Sequence, residues 1–140
     1  MSSLVVDASI AVKWFLPEAH AVRARRILRG RRTLLAPDLI WAEVGNTLWK
    51  KLGRAEITDE EAQALLRDFR RFPLRTYTAE ALLDPAWELA VRFNVSIYDS
   101  LYLALGVSQD CPVATADRAL RDALKGGPLA PLVLWVEDIR

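Results

Sequence analysis

Four short stretches, LVV at 4–6, TLLAP at 33–37, PVATA at 112–116 and PLVLWV at 131–136, are apolar without a polar alternation. A strand with one wet face alternates, so runs like these belong to strands buried on both faces. LRTYT at 74–78 is a further, more polar strand candidate. Between the strands the pattern turns helical. ASIAVKWFL is stopped by Pro17, and a second helix runs from about Glu18 to Leu28 with Gly30 after it. Others cover Asp38 to Lys51, a stretch opened by Thr58 with Glu61 placed for a capping box, Glu80 to Phe93, a helix opened near Asp99, and DRALRDAL at 117–124. Strand and helix in alternation predict an α/β fold: a mostly parallel sheet of about 4–5 strands, with helices on both faces in three layers. No repeat or linker interrupts the 140 residues, so residues 1–140 read as one domain.

A parallel sheet receives its ligands beyond the carboxyl ends of its strands. Asp7 stands at that end of the first strand, and Asp117 just beyond PVATA. Asp99 is the one charged residue in VSIYDSLYLALGVSQ, residues 95–109. Glu43 is the one charge in LIWAEVGNTLW, residues 39–49, with Asn46 a turn further on. Each Asp also has an ordinary account as a helix cap, and Glu43 as half of an ion pair. In one cleft, however, four acids repel each other and raise one another's pKa values. A divalent cation relieves that repulsion.

The chain has only His20 and Cys111 as soft ligands, so zinc is a poor choice and a hard ion, Mg2+ or Mn2+, suits the carboxylates. Asp7, Asp99 and Asp117 are the expected ligands, with Glu43 as the fourth catalytic acid. Ser9 and Thr115, each two residues from an Asp, are placed to orient a carboxylate or a water. An acid-only site of this kind suits phosphodiester hydrolysis.

Net charge is only +1, so the distribution of charge has to decide on a nucleic-acid partner. RARRILRGRR places six Arg between Arg23 and Arg32. Arg23, Arg25, Arg26 and Arg29 are the expected RNA contacts, since guanidinium binds phosphate oxygens in pairs. A single Cys and an N-terminus without a basic leader or spanning segment fit a cytoplasmic protein with no membrane contact. The five Trp sit mostly in core-like periodicity.

VVDASIAVKWFLPE, APDLIWAEVGNTLWK, SIYDSLYLALG and VATADRAL, in this order, resemble PIN-domain ribonucleases, and most closely the toxin subunits of VapBC-type toxin–antitoxin pairs. The resemblance lays the family's acidic quartet on Asp7, Glu43, Asp99 and Asp117, with its small polar residues on Ser9 and Thr115. It implies a Mg2+- or Mn2+-dependent endoribonuclease, dimeric, and held inactive by a VapB-type antitoxin. It also implies that Trp41, Leu48 and Trp49 border the groove receiving the antitoxin. Ser100 stands where Ala is the commoner residue. Two other readings share these residues: a catalytically silent binding module of the same fold, and a phosphoacceptor or phosphatase domain with Asp7 as acceptor. The phosphatase would want a second Asp where Ser9 stands.

Overall fold

The computed structural model describes residues 2–140. Five strands, β1 (Ser3–Val6), β2 (Thr33–Pro37), β3 (Leu74–Tyr77), β4 (Val113–Thr115) and β5 (Val133–Trp135), form one sheet in the order β3-β2-β1-β4-β5. Every neighbouring pair is parallel. Leu4, Val5 and Val6 are consecutive and all buried. Side chains alternate between the two faces of a strand, so helices must cover both. The strand β3 differs: Arg75 and Thr76 are exposed, as an edge allows.

The helices are α1 (Ala8–Ala11), α2 (Ala21–Arg26), α3 (Leu39–Gly53), α4 (Asp59–Arg70), α5 (Ala79–Phe93), α6 (Ile97–Gln109) and α7 (Arg118–Leu124). Helix α6 is buried nearly all round, from Ser100 to Gly106, and lies against β1, β2 and β4 with α5 packed on it. Its approach to β4 depends on Gly106, where a Cβ would lie 2.6 Å from Val113 Cγ2 and 3.0 Å from the Cys111 carbonyl oxygen. Thr58 and Glu61 form the expected capping box at the start of α4.

Chain order reverses between β1 and β4, where β2 lies on one side of β1 and β4 on the other. Such a switch point opens a crevice at the carboxyl ends of the strands, because the connections leave to opposite sides. Asp7 follows β1 directly, and Asp117 lies two residues beyond the end of β4.

Candidate acidic active site

Asp7 caps α1 and is 7% exposed. The hydroxyls of Ser9 and Thr115 both donate to its carboxylate, one to each oxygen, and the Ile10 amide donates to Oδ1 at 3.3 Å. Burial nonetheless dominates and raises its pKa from 3.8 to about 6, against the lowering effect of these donors. Thr115 is fully buried and serves both Asp residues at the switch point: its Oγ1 also accepts the Asp117 amide at 3.0 Å. Asp117 caps α7, with Oδ1 accepting from the amides of Ala119 and Leu120 at 3.0 and 3.2 Å. Ser9 Oγ accepts the Ala116 amide at 2.9 Å, which ties α1 to the β4 exit. Ser9 and Thr115 thus hold the two strand ends together.

Asp99 sits in the first turn of α6, but it does not cap it. Ser96 does, accepting the Asp99 amide at 3.0 Å, which leaves the Asp99 carboxylate free of capping. Burial first, and then the charge of Asp117, raise the Asp99 pKa. Glu43, on α3, is raised by burial and by Asp99 and Asp117, and lowered by the Tyr102 hydroxyl, which donates to Oε1 at 2.7 Å. Asp7, Glu43, Asp99 and Asp117 all line a single cavity of about 640 Å³.

Tyr102 is the residue that the sequence concealed. In an apolar helix it reads as core, and only its position one turn after Asp99 hints at a shared face. Lys13, Asn46 and Lys50 also line the cavity. Lys13 lies 3.7 Å from Glu18, which also binds Lys51 at 2.7 Å. None of the four acids pairs with a cation among the described residues.

The donor chemistry, carboxylate oxygens without His or Cys, fits a hard divalent ion. No three acidic, His or Cys side chains are already gathered at ligating distance among the described residues. Mg2+ does not require that, because it keeps most of its waters and takes one or two carboxylates directly.

Other sequence expectations fare differently. None of Arg23, Arg25, Arg26 and Arg29 lines the acidic cavity. Arg23 donates to the Glu137 carbonyl at 2.6 Å and Arg25 to the Trp14 carbonyl at 3.3 Å, so both are tied to backbone. Leu48 is 3% exposed and belongs to the core, which corrects its expected place in a groove. Trp41 and Trp49 of the same helix are exposed, Trp41 leaning on Phe69 of α4. Trp87 is exposed as well, so three of the five Trp are not core residues; helical periodicity identifies a stripe, not what covers it. No helix among the described residues is long and apolar enough to cross a membrane.

The family model described as the PIN domain matches residues 4–125. The chain is 32% identical to Ribonuclease VapC3 of Pyrobaculum aerophilum, across 85% of this chain and 92% of that protein. It is 33% identical to Ribonuclease VapC1 of Mycobacterium tuberculosis H37Rv, across 88% and 92%. The crystal structure of VapBC2 from Rickettsia felis, bound to a DNA fragment from its promoter, has a similar fold. Its TM-score is 0.67 at 14% identity, covering 95% of this chain and 98% of that one. With the acids, the switch point and these likenesses in agreement, the chain belongs to the PIN-domain family.

Proposed function

We propose that this chain is a Mg2+- or Mn2+-dependent endoribonuclease, and the toxin of a VapBC-type toxin–antitoxin pair. One observation carries the reading: four carboxylates without ion-pair partners among the described residues share one cavity at the switch point of a PIN fold. The ribonuclease names of the relatives at 32% and 33% identity support the reaction. Asp7, Asp99 and Asp117 would hold the ion, not all of them directly, and Glu43 would complete the catalytic set. When bound, the ion supplies Lewis acidity that activates water and offsets charge on the reacting phosphate.

The chain's own residues do the rest. Thr115 and Ser9 fix Asp7 in one orientation, so no rotamer is lost when it binds a ligand. Tyr102 holds one oxygen of Glu43 and leaves the other to accept a proton from water. Lys13 and Lys50, on the cavity wall, counter the charge of an RNA strand entering among acids. A phosphatase with Asp7 as acceptor would want a second Asp two residues on, where Ser9 stands.

The partners in this reading are an RNA substrate, a second copy of the chain, and a VapB-type antitoxin reaching the α3–α4 side through Trp41 and Trp49. The Rickettsia felis neighbour, a VapBC2 pair, supports the antitoxin. The test is cleavage of a labelled cellular RNA pool by purified chain. Fragments should appear with Mg2+ or Mn2+, vanish with chelator, and vanish with folded Asp99→Asn. Cleavage by the variant at the wild-type rate would end the reading.

A further inference from the structure

A second open cavity, of about 710 Å³, lies at the other end of the sheet. Ser2, just before β1, and Arg32, just before β2, border it, so it opens at the amino ends of strands whose carboxyl ends lead to the acids. Arg26, Arg29, Arg31 and Arg32 line it, with Gly30 between them and Arg140 beside them. No Asp or Glu side chain is among its lining residues. Among the described residues these five arginines form no ion pair, and none of their side chains makes a hydrogen bond.

Five arginines around one cavity without an Asp or Glu side chain repel one another, and an anion bound among them relieves that repulsion. Planar forks of N–H donors match phosphate oxygens in pairs, so phosphate is the anion they take best. The lining contains no aromatic ring on which a base stacks, so it suits a phosphate backbone rather than a nucleobase. The acidic cavity, by contrast, repels a polyanion except at Lys13 and Lys50. Without a bound ion, a cationic surface elsewhere on the molecule would add affinity for an RNA strand that the acids withhold.

We infer that this arginine-lined cavity is a second RNA site, which grips the phosphate backbone of the strand at a distance from the acids. That the anion is RNA rests on the ribonuclease reading. The strand β1 alone, four residues long, spans about 13 Å, so the phosphate gripped here is not the one cleaved. The two Arg that the fold ties to backbone, Arg23 and Arg25, take no part.

The test compares wild type with Arg29→Gln/Arg31→Gln/Arg32→Gln, all three exposed, and with a charge-matched control, Arg54→Gln/Arg75→Gln/Arg92→Gln, whose side chains line neither cavity. Binding of a fluorescent single-stranded RNA long enough to reach both cavities is read by anisotropy across a salt series. Chelator is present throughout, so that nothing is cut. The cavity variant should bind about tenfold more weakly, and its slope of log Kd against log salt should shrink by about 2. The control should keep most of its affinity, and all three proteins should melt alike. An unchanged slope in the cavity variant, or an equal loss in the control, would overturn the inference. So would tight binding of inorganic tripolyphosphate without binding of RNA. Cleavage by wild type in Mn2+ is scored separately. If wild type cuts RNA while the cavity variant binds normally, the second site fails and the ribonuclease stands. If wild type never cuts but RNA binding depends on these arginines, the ribonuclease fails and the site stands.

Discussion

At the carboxyl end of β1, Asp7 is nearly enclosed and its carboxylate accepts from two hydroxyls and an amide. At the amino end of the same strand, Ser2 borders guanidinium groups that bind nothing among the described residues. Both ends concentrate one sign of charge, but the fold treats them differently. The acids are held by the core: a strand end, two helix caps and a buried Thr set their positions. The arginines stand in solvent, where position is loose and long-range attraction is what they offer. A rigid acidic centre suits chemistry at a fixed atom, and a loose basic rim suits capture of a flexible polyanion.

The largest expected effect tests the rigid end. Asp99→Asn keeps the shape of the side chain and the Ser96 cap, because the cap uses the Asp99 amide. Cleavage should fall on the order of a thousandfold with the melting temperature no lower than that of wild type. Cleavage within tenfold of wild type would place the chemistry elsewhere and dissolve the contrast between the two ends.

Next in size is Gly106→Ala. The new methyl would meet Val113 Cγ2 at 2.6 Å and Leu132 Cδ1 at 3.3 Å, forcing α6 away from β4. Overpacking of this kind costs about 1–3 kcal/mol. Since α6 carries Asp99 and β4 leads to Asp117, activity should fall as well, while RNA binding with chelator present should hold. Equal stability by chemical denaturation would show that the approach of α6 to β4 is not tight.

Much of this was legible in the residues, and the exceptions have physical causes. Continuous apolar runs revealed the parallel sheet because a doubly buried strand has no wet face to alternate towards. The order β3-β2-β1-β4-β5 was not legible, since order depends on which side each connection leaves and no local pattern records that. Asp7 and Asp117 stood out because each follows an apolar strand, and Asp99 and Glu43 because each is the one charge in an apolar segment. Tyr102 did not, because a tyrosine in such a segment looks like packing until its hydroxyl is seen on Glu43. The arginine run was visible as charge, yet its sorting into backbone anchors at Arg23 and Arg25 and cavity lining at Arg26 and Arg29 depends on residues distant in sequence, Glu137 and Trp14.

The rigid end also stores a cost. Asp7 has a pKa of about 6 when folded, above its ordinary 3.8. The folded chain therefore keeps a proton that the unfolded chain releases, and stability declines as pH rises through that window. At neutral pH without metal the penalty is on the order of 3 kcal/mol. Asp7→Asn removes the charge, so with chelator present the variant should melt above wild type at neutral pH. The gap should narrow as pH falls below about 6 and close only below about 3, where Asp7 is protonated in both states. A variant less stable than wild type at neutral pH would mean that the lost hydrogen bonds outweigh the relieved charge.

The smallest effect belongs to Tyr102→Phe, which separates positioning from mere packing. Phe keeps the ring that fills the core and loses only the donor 2.7 Å from Glu43 Oε1. That donor is one of the influences holding the Glu43 pKa down against burial, so without it Glu43 protonates more readily. The acidic limb of the pH–rate profile should move to higher pH, and cleavage at neutral pH should fall about tenfold. Stability should change by no more than about 1 kcal/mol, the usual worth of one hydrogen bond. A tyrosine that only packs would leave the limb where it was. A shifted limb at wild-type stability would show that Glu43, the acid on α3, is held by the core helix α6 that also carries Asp99.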